Sequence, residues 1–180
     1  MRRSLAPAVL AIALFAVALP LAACGADEEE LDVAEGEPIV ADDVSYNVVI
    51  SRFLNPDDTE DAEYLADAPA PPPHEAYFGV FMQIHNDSDE AVAISEDLSV
   101  VDTLDNTYRA VEIDSPYALP LGSSLPADEK LPTPDSTGAY GPIEGSLVLF
   151  LLREDASDNR PLILDLPLPS GKIGKIELDI

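Results

Sequence analysis

Phe78-Gly79-Val80-Phe81-Met82-Gln83-Ile84-His85, closed by Asn86-Asp87-Ser88-Asp89, is the stretch that decides the fold. Phe78, Val80, Met82 and Ile84 recur at every second residue, opposite Tyr77, Gly79, Gln83 and His85. Side chains alternate across an extended chain, so this pattern predicts a strand with one face in an apolar core. The Asn-Asp-Ser-Asp run supplies short polar side chains that bond to their own backbone, and it predicts the turn that ends the strand.

The same period extends in both directions. Towards the N-terminus, Val44, Tyr46, Val48 and Ile50 alternate with Ser45, Asn47 and Ser51. Towards the C-terminus, Val92 with Ile94 and Leu98 with Val100 read as short strands, and the turn pair Asp105-Asn106 precedes another from Thr107 to Ile113. Leu147 to Leu152 is apolar at every position, which predicts a central strand buried on both faces. Leu162, Leu164 and Leu166 alternate again, and Ile176, Leu178 and Ile180 face inward against Lys175, Glu177 and Asp179. Residues 115–142 are dominated by Pro and Gly and read as irregular connection, with at most a short strand near Tyr117 to Leu121. No window after residue 24 sustains a 3.6-residue period. Seven or eight short strands separated by turns predict an all-β, antiparallel sandwich over residues 44–180.

One connection breaks the regularity. Residues 54–74 carry Asp57, Asp58, Glu60, Asp61, Glu63 and Asp67 and then Pro69-Ala70-Pro71-Pro72-Pro73, whose second half predicts a stiff polyproline segment. A loop of this length inside a domain is uncommon and is usually functional or disordered.

The first residues have a different character. Arg2 and Arg3 precede an uncharged apolar run from Leu5 to Leu21, and Leu21-Ala22-Ala23-Cys24-Gly25 follows. The order of basic start, apolar run and small residues before a Cys resembles the signal and lipobox of bacterial lipoproteins. That resemblance implies a signal peptide over 1–23, cleavage before Cys24 and a lipid on its thiol. Two or more acyl chains hold a protein stably at a membrane, so the implied location is the cell membrane, on its extracytoplasmic side. Residues 25–43 are acidic without an apolar period and read, with Cys24, as a disordered tether of roughly 25 Å mean reach.

Charge and cysteine content narrow the chemistry. The chain of 180 residues has a net charge of −26; without Arg2 and Arg3 it keeps seven basic against 35 acidic residues, or −28. Such a surface repels nucleic acid and anionic headgroups, so no nucleic-acid partner is expected. Cys24 is the only cysteine, so no disulfide forms and the core alone must hold the fold.

Catalysis needs convergent groups. His74 and His85 are the only histidines, and neither lies in a nucleophile elbow or a zinc-ligand spacing. No enzyme and no cofactor are expected. Ca²⁺ is the one ion the composition invites, because it takes six to eight oxygens and loop carboxylates supply them. Asp57, Asp58, Glu60 and Asp61 in the long loop are the candidate ligands, or else Asp87 and Asp89 in the turn, although neither cluster has EF-hand spacing and its central Gly.

The stretch from Phe78 to Val92 also resembles a family of secreted and lipoprotein domains of unknown function with a telokin-like, immunoglobulin-like fold. Leu98-Ser99-Val100-Val101-Asp102 leading to Tyr108, and Gly145 to Phe150, match its next elements. The resemblance implies an immunoglobulin-like sandwich in a cell-surface setting, without naming a reaction. The expectation is a lipid-anchored, non-enzymatic binding module with a protein or envelope partner. The alternative is a capture lipoprotein that holds a small ligand or Ca²⁺ at its acidic loops.

Overall fold

The computed structural model describes residues 31–180, and extended chain dominates it. Twelve strands follow in chain order: β1 (Asp32–Ala34), β2 (Ile39–Ala41), β3 (Val44–Leu54), β4 (Glu75–Asn86), β5 (Val92–Ala93), β6 (Ser99–Val101), β7 (Thr107–Val111), β8 (Ser124–Leu125), β9 (Lys130–Leu131), β10 (Ser146–Arg153), β11 (Leu162–Pro167) and β12 (Ile173–Leu178). Two short helices, α1 (Thr59–Tyr64) and α2 (Thr137–Tyr140), and a 3₁₀ turn at Glu154–Asp158 complete the elements.

Nine of the strands run in the order β1-β12-β11-β6-β7-β10-β4-β3-β2, β9 pairs with β4 beside this path, and β5 pairs with β8 in a separate two-stranded sheet. This ribbon folds over at β7, which pairs with β6 on one side and β10 on the other. One layer is therefore β1-β12-β11-β6 and the opposite layer is β10-β4-β3-β2. The segment joining β1 to β2 closes the other side, so the sandwich approaches a barrel. Pairing is antiparallel apart from β1 with β12, which run parallel, and a single parallel bridge between Ala118 and Leu147. The all-β sandwich is as the alternation predicts.

Core formation follows the period of two. Phe78, Val80, Met82 and Ile84 of β4 meet Val148, Phe150 and Leu152 of β10 and Leu162, Leu164 and Leu166 of β11 in one interior cluster. Each such side chain contributes about 1.5–3 kcal/mol by leaving water. Leu147 and Leu149, on the opposite face of β10, join a second cluster outside the sandwich. β10 is thus buried from both sides, as its unbroken apolar run requires.

Three expectations need correction. The first is the tether over 24–43. Its residues 24–30 lie outside the described ones, but 32–34 and 39–41 are strands. Val33, Ile39 and Ala41 are buried in the core. Strands of three residues amid Asp and Glu give too little alternation to stand out in the sequence. The β2–β3 hairpin turns on Asp42 and Asp43, both left-handed at φ 54° and 59°. Two such residues form the primed turn that matches strand twist, a role more often filled by Asn-Gly.

The second is the face of Ile50. The register of β3 against β4 slips between Val48 and Ile50, so Val49 is an extra residue in a β-bulge. A one-residue insertion exchanges the faces of everything beyond it. Ile50 therefore looks outward opposite Phe81, while Ser51 is buried. The β1–β2 turn satisfies the backbone groups that the bulge frees. Gly36 N–H donates to Val48 O at 3.0 Å, and Ser51 N–H donates to Glu35 Oε1 at 3.1 Å.

The third is the number of strands. β1, β2, β8 and β9 add to the seven or eight that the sequence predicts, because pieces of two or three residues are defined by their partners rather than by their own sequence.

Buried polar groups fasten the turns. Asn86 ends β4 fully buried, its Nδ2 reaching the carbonyls of Glu90, Leu125 and Pro126 at 2.8–3.1 Å while Oδ1 accepts from Ser88 N–H. Asp102 does the same in the β6–β7 turn, accepting from the backbone N–H of Leu104 and Asn106 and from the Asn106 amide. Burial alone would raise its pKa, but these bonds outweigh it and hold the carboxyl below its usual value.

Candidate functional site

The outer face of β3 and β4 has two halves. Beyond the bulge it presents Ile50, Arg52 and Leu54 from β3 beside Tyr77, Gly79 and Phe81 from β4. Before the bulge it presents Ser45 and Asn47 beside Gln83 and His85.

The apolar half is covered by residues 55–74. Asp58 caps α1, its carboxylate accepting from Glu60 N–H and Asp61 N–H. The helix delivers Tyr64, 1% exposed, edge-on to Phe81 and Tyr117 with ring centroids 4.9 and 4.7 Å away. Burial raises the pKa of both phenols, and the charge of Glu63 adds to the rise at Tyr117. The proline run follows without helix or strand, tied down where Tyr77 OH donates to Pro69 O at 3.0 Å.

This cover contains the four carboxylates singled out for Ca²⁺. Asp61 is buried, and both its oxygens are engaged: Arg52 donates to them in a fork at 3.1 and 2.5 Å, and Asn55 N–H donates at 2.8 Å. Glu60 stands 3.7 Å from the same guanidinium. Asp58 is occupied as the helix cap, and Asp57 is exposed. The cation held by this loop is Arg52. Among the described residues no group of three or more His, Cys, Asp or Glu side chains gathers as a metal site. Met82 is buried in the core while His85 is on the outer face, as residues three apart on a strand must be. Cys24 lies outside the described residues.

The polar half is open. β9 pairs with β4 at Ile84 and His85, continuing the edge that β10 occupies further along. The segment from Asp128 to Glu144, which includes α2, rises beside it and encloses a cleft of about 720 Å³. The cleft floor is Ser45, Asn47, Gln83 and His85, and its rim carries Lys130 and Tyr140. Its wall is set from the sandwich: Asn86 N–H donates to Glu129 O at 3.0 Å, and Gln83 Nε2 donates to Glu144 O at 2.8 Å. His85 Nδ1 is 3.2 Å from Asp87. Asn47 Oδ1 is buried and accepts no hydrogen bond, and Tyr140 is 79% exposed.

Sequence reasoning did not identify this cleft. Its signal was present as a run of neutral polar side chains at outer positions of otherwise apolar strands, but the wall comes from a segment that read as irregular connection.

The fold places the chain among β-sandwich proteins, and solved structures agree. An uncharacterised β-sandwich protein from Clostridium difficile 630 superimposes with a TM-score of 0.52 at 12% identity, over 85% of this chain and 97% of its own. The yjhA protein from Bacillus subtilis gives 0.50 at 10% identity, over 81% and 98%. The candidate lipoprotein ycdA from Bacillus subtilis gives 0.50 at 12%, over 81% of this chain and 39% of that longer one. No family model matches the sequence, and no curated protein does. No helix among the described residues is long and apolar enough to cross a membrane.

Proposed function

We propose that this chain is a lipid-anchored, extracytoplasmic, non-enzymatic binding module whose ligand enters the cleft on the outer face of β3 and β4. The observation that carries the reading is the open cleft of about 720 Å³ itself, whose floor presents the polar side chains of Ser45, Gln83 and His85 from otherwise apolar strands. The volume also falls in the usual range for small-molecule sites.

The anchor is read from Leu21-Ala22-Ala23-Cys24, and the likeness of fold to ycdA agrees with it. Seven residues lie between Cys24 and Asp32, so fully extended chain holds the start of β1 within about 30 Å of the lipid. β1 begins beside Lys175 of β12, and Ser170 N–H bonds Asp42 at the β2–β3 turn. That end of the sandwich also bears the start of β3 and the end of β4. The cleft therefore belongs to the membrane-proximal end.

Small-ligand capture is the alternative, favoured by the same cleft rather than by the acidic loop, whose central carboxylate already holds Arg52. Two measurements test the proposal. Labelled palmitate should enter the wild-type chain and not Cys24→Ala. Solubilised envelope material added to the full chain in micelles should shift NMR resonances at Asn47, Gln83 and Lys130. Perturbations confined to other faces, or none, overturn the binding assignment.

A further inference from the structure

We propose that the cleft receives an extended, cationic segment of a protein partner, which adds to the outer edge of β9. The inference rests on the binding reading above and names the class of ligand.

β9 supplies the backbone contact. It pairs with β4, Lys130 standing opposite His85 and Leu131 opposite Ile84. Antiparallel neighbours alternate between pairs that exchange two hydrogen bonds and pairs that exchange none. Asn86 N–H donates to Glu129 O at 3.0 Å, so the next pair, His85 with Lys130, is of the second kind. The N–H and C=O of Lys130 therefore point away from β4, and among the described residues neither has a backbone partner. One residue of an extended chain laid along this edge satisfies both groups by strand addition. Pro132 offers no N–H, so the edge ends there. So short an edge does not recruit a whole sheet, and side chains in the cleft must supply the rest.

The charge of the cleft decides which side chains they meet. Asp128, Glu129 and Glu144 line it against Lys130 and His85, and the imidazole already stands 3.2 Å from Asp87. Anions therefore meet a net negative field, and cations a favourable one. Among the described residues no group of three or more metal-ligating side chains gathers to hold a bare ion, so the positive charge has to come on a larger ligand. Tyr140, 79% exposed and part of the cleft lining, offers a ring face that attracts an ammonium.

Strand geometry also orders the charges along the segment. Directly opposite residues share a face, so the side chain facing Lys130 lies beside that ammonium and should be neutral. Two residues further along in either direction, side chains return to the same face, and positive ones there answer the carboxylates of the cleft.

The peptide Lys-Ala-Thr-Ala-Lys, capped at both ends to stand for an internal segment, tests this by NMR titration of the full chain in uncharged micelles. At millimolar concentration it should shift the resonances of Gln83 and Lys130 and slow exchange of the Lys130 amide proton. A methyl group on the Thr nitrogen removes the donor aimed at Lys130 O and should weaken binding about tenfold, whereas one on an Ala nitrogen, which faces away from β9, should not. Replacing both peptide lysines by Glu should abolish binding. Asp128→Asn combined with Glu129→Gln should weaken it several-fold with the melting temperature unchanged. Absence of shifts with the Lys peptide, undiminished binding after methylation at Thr, or equal binding of the Glu peptide overturns the proposal. If envelope material still perturbs the cleft while no peptide binds, the ligand class falls and the binding reading stands.

Discussion

The two halves of one sheet face, carried by the same pair of strands, meet opposite fates. Past the bulge, Leu54, Tyr77 and Phe81 are sealed under α1 and Tyr64. Before it, Asn47 and Gln83 line an open cleft. The difference lies in what each set of side chains gains by leaving water. Three apolar residues stabilise a cover strongly enough to order some twenty residues of acidic, proline-rich chain, whereas a neutral polar patch offers no such gain and stays available. The bulge at Val49 sits at the boundary, and by exchanging faces it sends Ile50 and Leu54 outward to build the apolar half.

Removing the main anchor of the cover should have the largest effect. Tyr64→Ala leaves a cavity between Phe81 and Tyr117 and is expected to cost about 3–4 kcal/mol, read by urea unfolding, with new proteolytic cleavage within residues 55–74. If stability holds within half a kcal/mol, the cover is not what seals this half.

Arg52→Met comes next. It strands the buried Asp61 carboxylate and should cost about 2–3 kcal/mol, and pairing it with Asp61→Leu should restore much of the loss. A simple sum of the two single effects would show that the fork is incidental. Millimolar Ca²⁺ should leave the wild-type melting temperature unchanged, because the guanidinium already occupies the carboxylates.

Alkaline pH separates the halves without large truncation. Burial raises the pKa of Tyr64 and Tyr117 above the free-phenol value near 10. Their contribution to stability is complete below that value and is lost as pH rises through the folded pKa values, since the unfolded chain releases the protons first. Tyr46, inside the sandwich, is pushed up to about 12 by burial and by Asp42, so it adds to the same limb. Tyr117→Phe should flatten the alkaline limb of a stability profile; an unchanged limb would remove Tyr117 as a contributor.

The smallest effects belong to the open half. Gln83→Ala and Tyr140→Ala should each change stability by no more than about 0.5 kcal/mol, because nothing is sealed there. A larger loss would make the cleft a part of the core architecture rather than a place for a ligand.

The strands around Phe78 and Leu147 were legible because their inner faces alternate over many residues, and a long periodic pattern has few other solutions. The cover was not legible. Tyr64 carries no signal within its acidic, proline-rich surroundings, and Phe81 gained meaning only as the residue beneath it. Asp61 stands out in the sequence for its charge, but only the packing of α1 on β3 makes Arg52 its partner.

Local alternation by itself determined the all-β sandwich, the buried central strand and the polar turn at Asn86, because burial of one face needs only neighbours along the chain. Tertiary structure alone decided that residues 31–43 close the sandwich, that 55–74 seal one half of a sheet and that 128–144 wall the other. Those outcomes depend on contacts between segments far apart in sequence, each too short or too polar to order itself, and such contacts exist only once the sandwich is there to receive them.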